Sequence, residues 1–211
     1  MRFILLLSLT LSLQATILDR IAVTVGSQVI TEQQLDEELR VTAFLNHEKL
    51  ARTEAARRTA ADHLVQQLLV KREMELSHYP LPGAEDEDQY LAEVQAGFRP
   101  PASFAQAISQ YGLTEAMLKQ HLILQLTTLR FIEFRFRPNI GISDADIQTA
   151  YERETVAWRA VHPGDVPPSL AASRESIRQA LIEERTDQVL DTWLEETRKQ
   201  VSIIYLDKTL R

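Results

Sequence analysis

The stretch Ile21–Arg40, "IAVTVGSQVITEQQLDEELR", spells two short strands around Gly26-Ser27 and then a helix opened by Thr31. Val, Ile and Thr flank the turn as a half-buried hairpin requires, and Thr31 with Gln34 has the spacing of a capping box. A hairpin alone is marginal in water and leaves strand edges open. Almost everything from residue 31 to residue 200 reads as helix, so any third strand has to come from far along the chain. One other β-branched run fits, "VSIIYL" at Val201–Leu206. The expected fold is therefore mainly α: a helical domain with a small antiparallel sheet formed by the N-terminal hairpin and the C-terminal strand, so that the two ends meet.

The helices follow from apolar spacing and from breakers. The first carries Leu35, Leu39 and Ala43 on one side and ends near Asn46 to Lys49. A second runs from about Thr53 to Leu76, where "HYPLPG" stops it. The four acids Glu85–Asp88 open a third helix, and their carboxylates suit the positive end of its dipole. They lack the alternating ligands and turn glycine of a calcium loop. "RPPAS" breaks the chain again, Ser103 is expected to cap a short helix to Tyr111, and Gly112 ends it. From Thr114 to about Phe136 lies the most apolar helix, with Met117, Leu118, Leu122, Leu124, Leu126, Phe131 and Phe134 spread around it. Such a helix is either wrapped by neighbours or partly open to something it binds. Ser143 caps the next, with Ile147, Tyr151 and Trp158 facing inward. "VHPGDVPPS" is the clearest linker, and a last long helix covers about Ser173 to Gln200.

Composition narrows the function classes. "MRFILLLSLTLSLQA" joins Arg2 to an apolar run and a small residue, Ala15, and reads as a secretory signal peptide cleaved near that alanine. The run is too short for an anchor, since spanning a bilayer takes about 20 apolar residues. The chain has no cysteine, which excludes disulfides, thiolate zinc and a thiol nucleophile. Its 30 acidic against 23 basic residues give a net charge of −7, unfavourable for nucleic acid or anionic lipid.

A search for catalytic motifs is negative. Of His47, His63, His78, His121 and His162, no two have the helical spacing of a zinc pair, and "HExxH" is absent. His121, inside the apolar helix, reads as packed or groove-lining rather than as a ligand. No serine sits in a "GxSxG" elbow. The glycines are too scattered for a phosphate loop, and "RFIEFRFRP" is explained by an amphipathic helix end as readily as by a stacking surface. No metal or cofactor is expected.

The order of elements is more telling than any motif. The leader, "LDRIAVTVGSQVITEQQLDEEL", a long helix, "YGLTEAMLKQHLILQLTTLRFIE" and "ISDADIQTAYE" together resemble the N-terminal chaperone domain of the SurA family of periplasmic foldases. The segment "ESIRQALIEERTDQVLDTWLEETRKQVSIIYL" is similar to that family's C-terminal helix and strand, which in the family fold back onto the hairpin. The resemblance implies residues 1–15 as signal peptide, 16–158 as a helical chaperone domain, 159–172 as a Pro/Gly linker and 173–211 as the returning helix and strand. Family members usually carry parvulin prolyl-isomerase domains before the last helix, each about 100 residues. Arg159 to Ala172 leave no room for one, so that activity is expected to be missing.

What the resemblance implies is a periplasmic holdase-type chaperone, not an enzyme. It would bind unfolded or partly folded outer-membrane and other exported polypeptides through an apolar crevice, without nucleic acid and without stable membrane insertion. The client-binding candidates are Phe98, Phe104, Tyr111, Leu122, Leu126, Phe131 and Phe134, each of which could equally be core. The open hairpin edge could add a client strand. The alternative is an exported interaction subunit that binds one folded envelope partner or self-associates as a homodimer.

Overall fold

The computed structural model describes residues 19–98, 100 and 102–211; the leader at 1–15 lies outside the described residues. The hairpin forms as read, β1 (Ile21–Val25) and β2 (Gln28–Thr31) joined by Gly26-Ser27. Gly26 takes φ +59°, a left-handed turn position that favours glycine. β3 (Ile203–Tyr205) pairs antiparallel with β1, giving the sheet order β2-β1-β3. The Gly26 N–H donates to the Ser202 carbonyl at 2.8 Å, and the Leu206 N–H to the Ala22 carbonyl at 2.8 Å, so bonding extends past both ends of β3. An irregularity between Ile21 and Val23 breaks the alternation of β1, which is how consecutive Ala22 and Val23 can both be fully buried.

Seven helices are described: α1 (Glu32–Leu45), α2 (Glu54–Leu76), α3 (Ala84–Ala96), α4 (Ala102–Gln110), α5 (Glu115–Arg135), α6 (Asp144–Val161) and α7 (Leu170–Gln200). Thr31, Thr53, Thr114, Ser143 and Ser169 each accept a backbone N–H at a helix start. The capping boxes at Thr31 and Ser143 are complete, which satisfies two orphan donors apiece. Two boundaries differ from expectation. Ser103 lies inside α4, where its hydroxyl donates to the Pro100 carbonyl at 2.7 Å, so it does not cap the helix. α7 begins at Leu170, because Ser169 caps it immediately after Pro168 and shortens the linker to residues 162–169.

The interior divides into regions of different character. Val23, Val25 and Ile30 of the sheet pack on Leu35 and Leu39 of α1, Ala61, Val65 and Leu69 of α2, and Leu194 of α7. This first core is aliphatic, as suits a pleated sheet lying on helices. A second is aromatic, where Phe44 stacks on Phe98 at 5.5 Å and meets Phe104 and Tyr111 edge-on. In a third, Trp193 of α7 covers the end of α5, 4.7 Å from Phe131 between ring centroids, with Val70, Met74 and Phe136 around them. The fourth and smallest lies between α6 and the first half of α7, built on Ile147, Ala150 and Ile177.

The chain is also latched where its ends meet. Arg57 of α2 bridges Glu32 and Asp207, both at 2.7 Å, and the Leu210 side chain is fully buried. The C-terminal residues thus pack on α2, beside the hairpin.

Candidate functional site

One crevice combines an open mouth, apolar walls and buried polar groups. It is bounded by Val29 and Ile30 of β2, Gln34, Glu37, Glu38 and Val41 of α1, Leu64, Gln67 and Leu68 of α2, and Met117, Gln120, His121 and Leu124 of α5. Its volume is about 80 Å³, well below the roughly 300–1,000 Å³ of small-molecule sites. It suits a side chain or two of a longer ligand lying across it better than a cofactor.

Glu38 sits at its base, 3% exposed, with its neighbours Leu35, Leu39 and Val41 also buried. A charge there is costly unless paired. The structure pairs it twice: Nδ1 of His63 lies 2.6 Å from Oε1, and Nδ1 of His121 lies 2.9 Å from Oε2. Burial alone would raise the Glu38 carboxyl, but the hydrogen bonds from His121 and His63 outweigh it and hold it at about 2. The bond to Glu38 in turn raises the half-exposed His63 above its ordinary value, against the opposing effect of burial. Nε2 of Gln67 approaches Nε2 of His63 at 3.5 Å, while Oε1 of Gln67 is buried with no hydrogen-bond partner.

This cluster makes a poor catalyst. A carboxylate held at about 2 with both oxygens engaged is a weak base, and no hydroxyl or thiol lines the crevice. Among the described residues, no group of three or more His, Cys, Asp or Glu side chains is placed to hold a metal ion. None of the described helices is long and apolar enough to cross a membrane. What the arrangement offers is a binding surface, with Val29 exposed and Leu64, Leu68, Met117 and Leu124 half-buried around the polar floor.

The residues singled out from sequence do not form one surface. Phe104 and Leu122 are interior to the aromatic core, and Phe131 is fully buried beneath Trp193. Those three are packing residues in this conformation, because α3, α4 and α7 close over the faces of α5 and α4 that carry them. Phe98 and Tyr111 are half-buried at the rim of the aromatic core; Phe98 borders a second hollow of about 210 Å³ with Phe44, His47 and Val94. The Tyr111 hydroxyl donates to the Glu48 carbonyl at 2.9 Å. Leu126 is half-buried, and Phe134 is exposed and stacked on Tyr79. His121 is groove-lining, as expected, and its partner Glu38 is the residue the sequence reading missed. A signal was present: Glu38 falls three residues after Leu35 and adjoins Leu39, on the face that α1 buries.

Compared with protein-family models the chain gives no match, and compared with curated proteins it gives none of significance.

Proposed function

We propose that the protein is a SurA-like periplasmic holdase-type chaperone: it binds unfolded or partly folded outer-membrane and other exported polypeptides in an apolar crevice, without prolyl isomerase activity. The observation that carries this reading is the crevice itself, walled by accessible aliphatic side chains beside a sheet that joins the hairpin to a strand from the far end of the chain. That joining is the arrangement the family resemblance implies. Apolar surface of this kind holds extended segments by weak, repeated contact and releases them once they bury their own apolar residues. The connection between α6 and α7, residues 162–169, is too short for an isomerase domain of about 100 residues, which supports the second half of the proposal.

The test is aggregation of a denatured outer-membrane β-barrel protein diluted into buffer with rising amounts of this chain. Suppressed light scattering near equal molar amounts is the expected result. Unchanged scattering, from protein whose circular dichroism shows it folded, overturns the reading. The alternative of an exported interaction subunit draws on a separate observation, the exposed Val156, Val161 and Val166 at the far end of the α6–α7 pair. It predicts one folded partner at fixed stoichiometry, or self-association, in place of many unfolded clients.

A further inference from the structure

The sheet has two outer edges, and they are not equivalent. Ala22 and Gly26 both bond to the β3 side of β1, so Thr24 between them also turns its main chain toward β3. Val29 stands opposite Thr24 on β2. Its N–H and C=O therefore lie on the outer edge of β2, where no further strand pairs among the described residues. On the other edge, Nε of Arg211 donates to the Tyr205 carbonyl at 3.1 Å, which blunts β3.

The crevice adjoins the strand that carries the unblunted edge. Val29 and Ile30 are successive strand residues whose side chains point to opposite faces, yet both line it. β2 is the outer strand of the sheet, so a crevice bordered by both residues lies beside the strand that carries the unpaired edge. Two further features describe what would lie there. Gln67, 3% exposed, holds a buried acceptor without a partner, a cost that a donor entering the crevice removes. Of the two carboxylates in its lining Glu38 is buried and held by His63 and His121, which leaves Glu37 as the accessible charge; no Lys or Arg lines the crevice, on a chain of net charge −7.

From these observations we infer that the crevice binds its polypeptide as an added strand: an extended, apolar segment bearing Lys or Arg pairs with the outer edge of β2 through Val29 and sets a side chain into the space between α1, α2 and α5. The inference rests on the proposed function and specifies the chemistry of the bound segment. Main-chain bonding supplies affinity for many sequences, and the aliphatic walls with the Glu37 carboxylate and the net negative charge of the chain supply selection.

The probe is a short fluorescent peptide alternating Val and Lys, read by anisotropy against the full chain. Three changes are expected to weaken binding by about tenfold or more, the equivalent of a lost main-chain bond or charge match: N-methylation of the peptide's alternate amides, Glu in place of its Lys residues, and Val29→Pro in the protein. Gln67→Leu is expected to weaken it several-fold. N-methylated peptide needs no protein variant, so the test stands even if Val29→Pro fails to fold. Equal binding of methylated and unmethylated peptide overturns strand addition. If aggregation is still suppressed in that case, the chaperone reading survives without it; if peptide binding is methylation-sensitive but aggregation is not suppressed, the chaperone reading fails and strand addition stands. A dimer that Val29→Pro dissolves would mean that a second copy occupies the edge, and would also overturn the inference.

Discussion

The two halves of α7 sit in different surroundings. Residues 187–200 place Leu190, Trp193 and Leu194 against the sheet, α2 and the end of α5, joining two of the larger cores. Residues 170–186 bury Ile177 against Ile147 and Ala150 of α6, with Ile142, Tyr151, Leu170 and Leu181 around them. One continuous helix therefore begins in an arm with a three-residue core and ends in the main body. The arm also shows the most exposed large apolar residue of the described chain, Val166 at 90%. Local stability follows buried apolar contact, so the arm should open on its own while the body unfolds as a unit. The contrast teaches that helix length is no measure of cooperativity; the company each turn keeps decides it.

The largest effect that could break this comparison is in the body. Phe131→Ala empties a fully buried site beneath Trp193 and is expected to cost about 3–5 kcal/mol. A urea midpoint followed through Trp193 should fall sharply, and a small change would mean that the body is loosely packed. Acid provides the next largest. The folded Glu38 carboxyl is depressed to about 2, so its contribution is present above an unfolded value near 4.5 and is lost as pH falls toward 2. That contribution is about 3 kcal/mol at about 1.4 kcal/mol per unit. His63 has the opposite sign: its pKa is raised, so its contribution is full below about 6.5 and fades as pH rises through the folded value. Glu38→Gln should flatten the acid limb. An unaltered pH profile in that variant would show that the pair does not stabilise the body.

The smallest of the three tests the arm directly. Ile177→Ala is expected to cost about 2–3 kcal/mol, felt as faster amide hydrogen exchange from 144 to 186 and in Trp158 fluorescence, with the midpoint at Trp193 almost unchanged. The chain has only two tryptophans, one in each region, so single-tryptophan variants separate the signals. Equal shifts at both probes would make arm and body one cooperative unit.

The sheet was legible in the sequence because its signals were local and strong. Gly26 marks the turn, Thr31 and Gln34 close the capping box, and Ile203–Tyr205 is a β-branched run in a chain otherwise patterned as helix. The helix starts at Thr31, Thr53, Thr114 and Ser143 were legible for the same reason. The site was less so. An all-round apolar helix such as α5 does not reveal which of its faces neighbours will cover, so Leu122 and Phe131 looked as available as Leu124. Whether Phe131 is core depended on Trp193, more than sixty positions along the chain, and no spacing rule spans that distance. The position of Glu38 between Leu35 and Leu39 marked it for burial, but His63 and Gln67 look like ordinary surface residues, and only the packing of α1, α2 and α5 brings His63, His121 and Gln67 to it.

The pairing of β1 with β3 sets an order of events. A chain made from its amino end presents β1 long before Ile203–Tyr205 exist, and no local segment can take their place. Joining so distant a pair costs little extra free energy, since closure entropy grows only with the logarithm of loop length, but it slows folding and leaves an edge open in the meantime. Until then the molecule carries an unpaired strand of its own, the same liability as the polypeptides it is proposed to hold, and it loses that liability when β3 docks and Arg57 closes on Asp207.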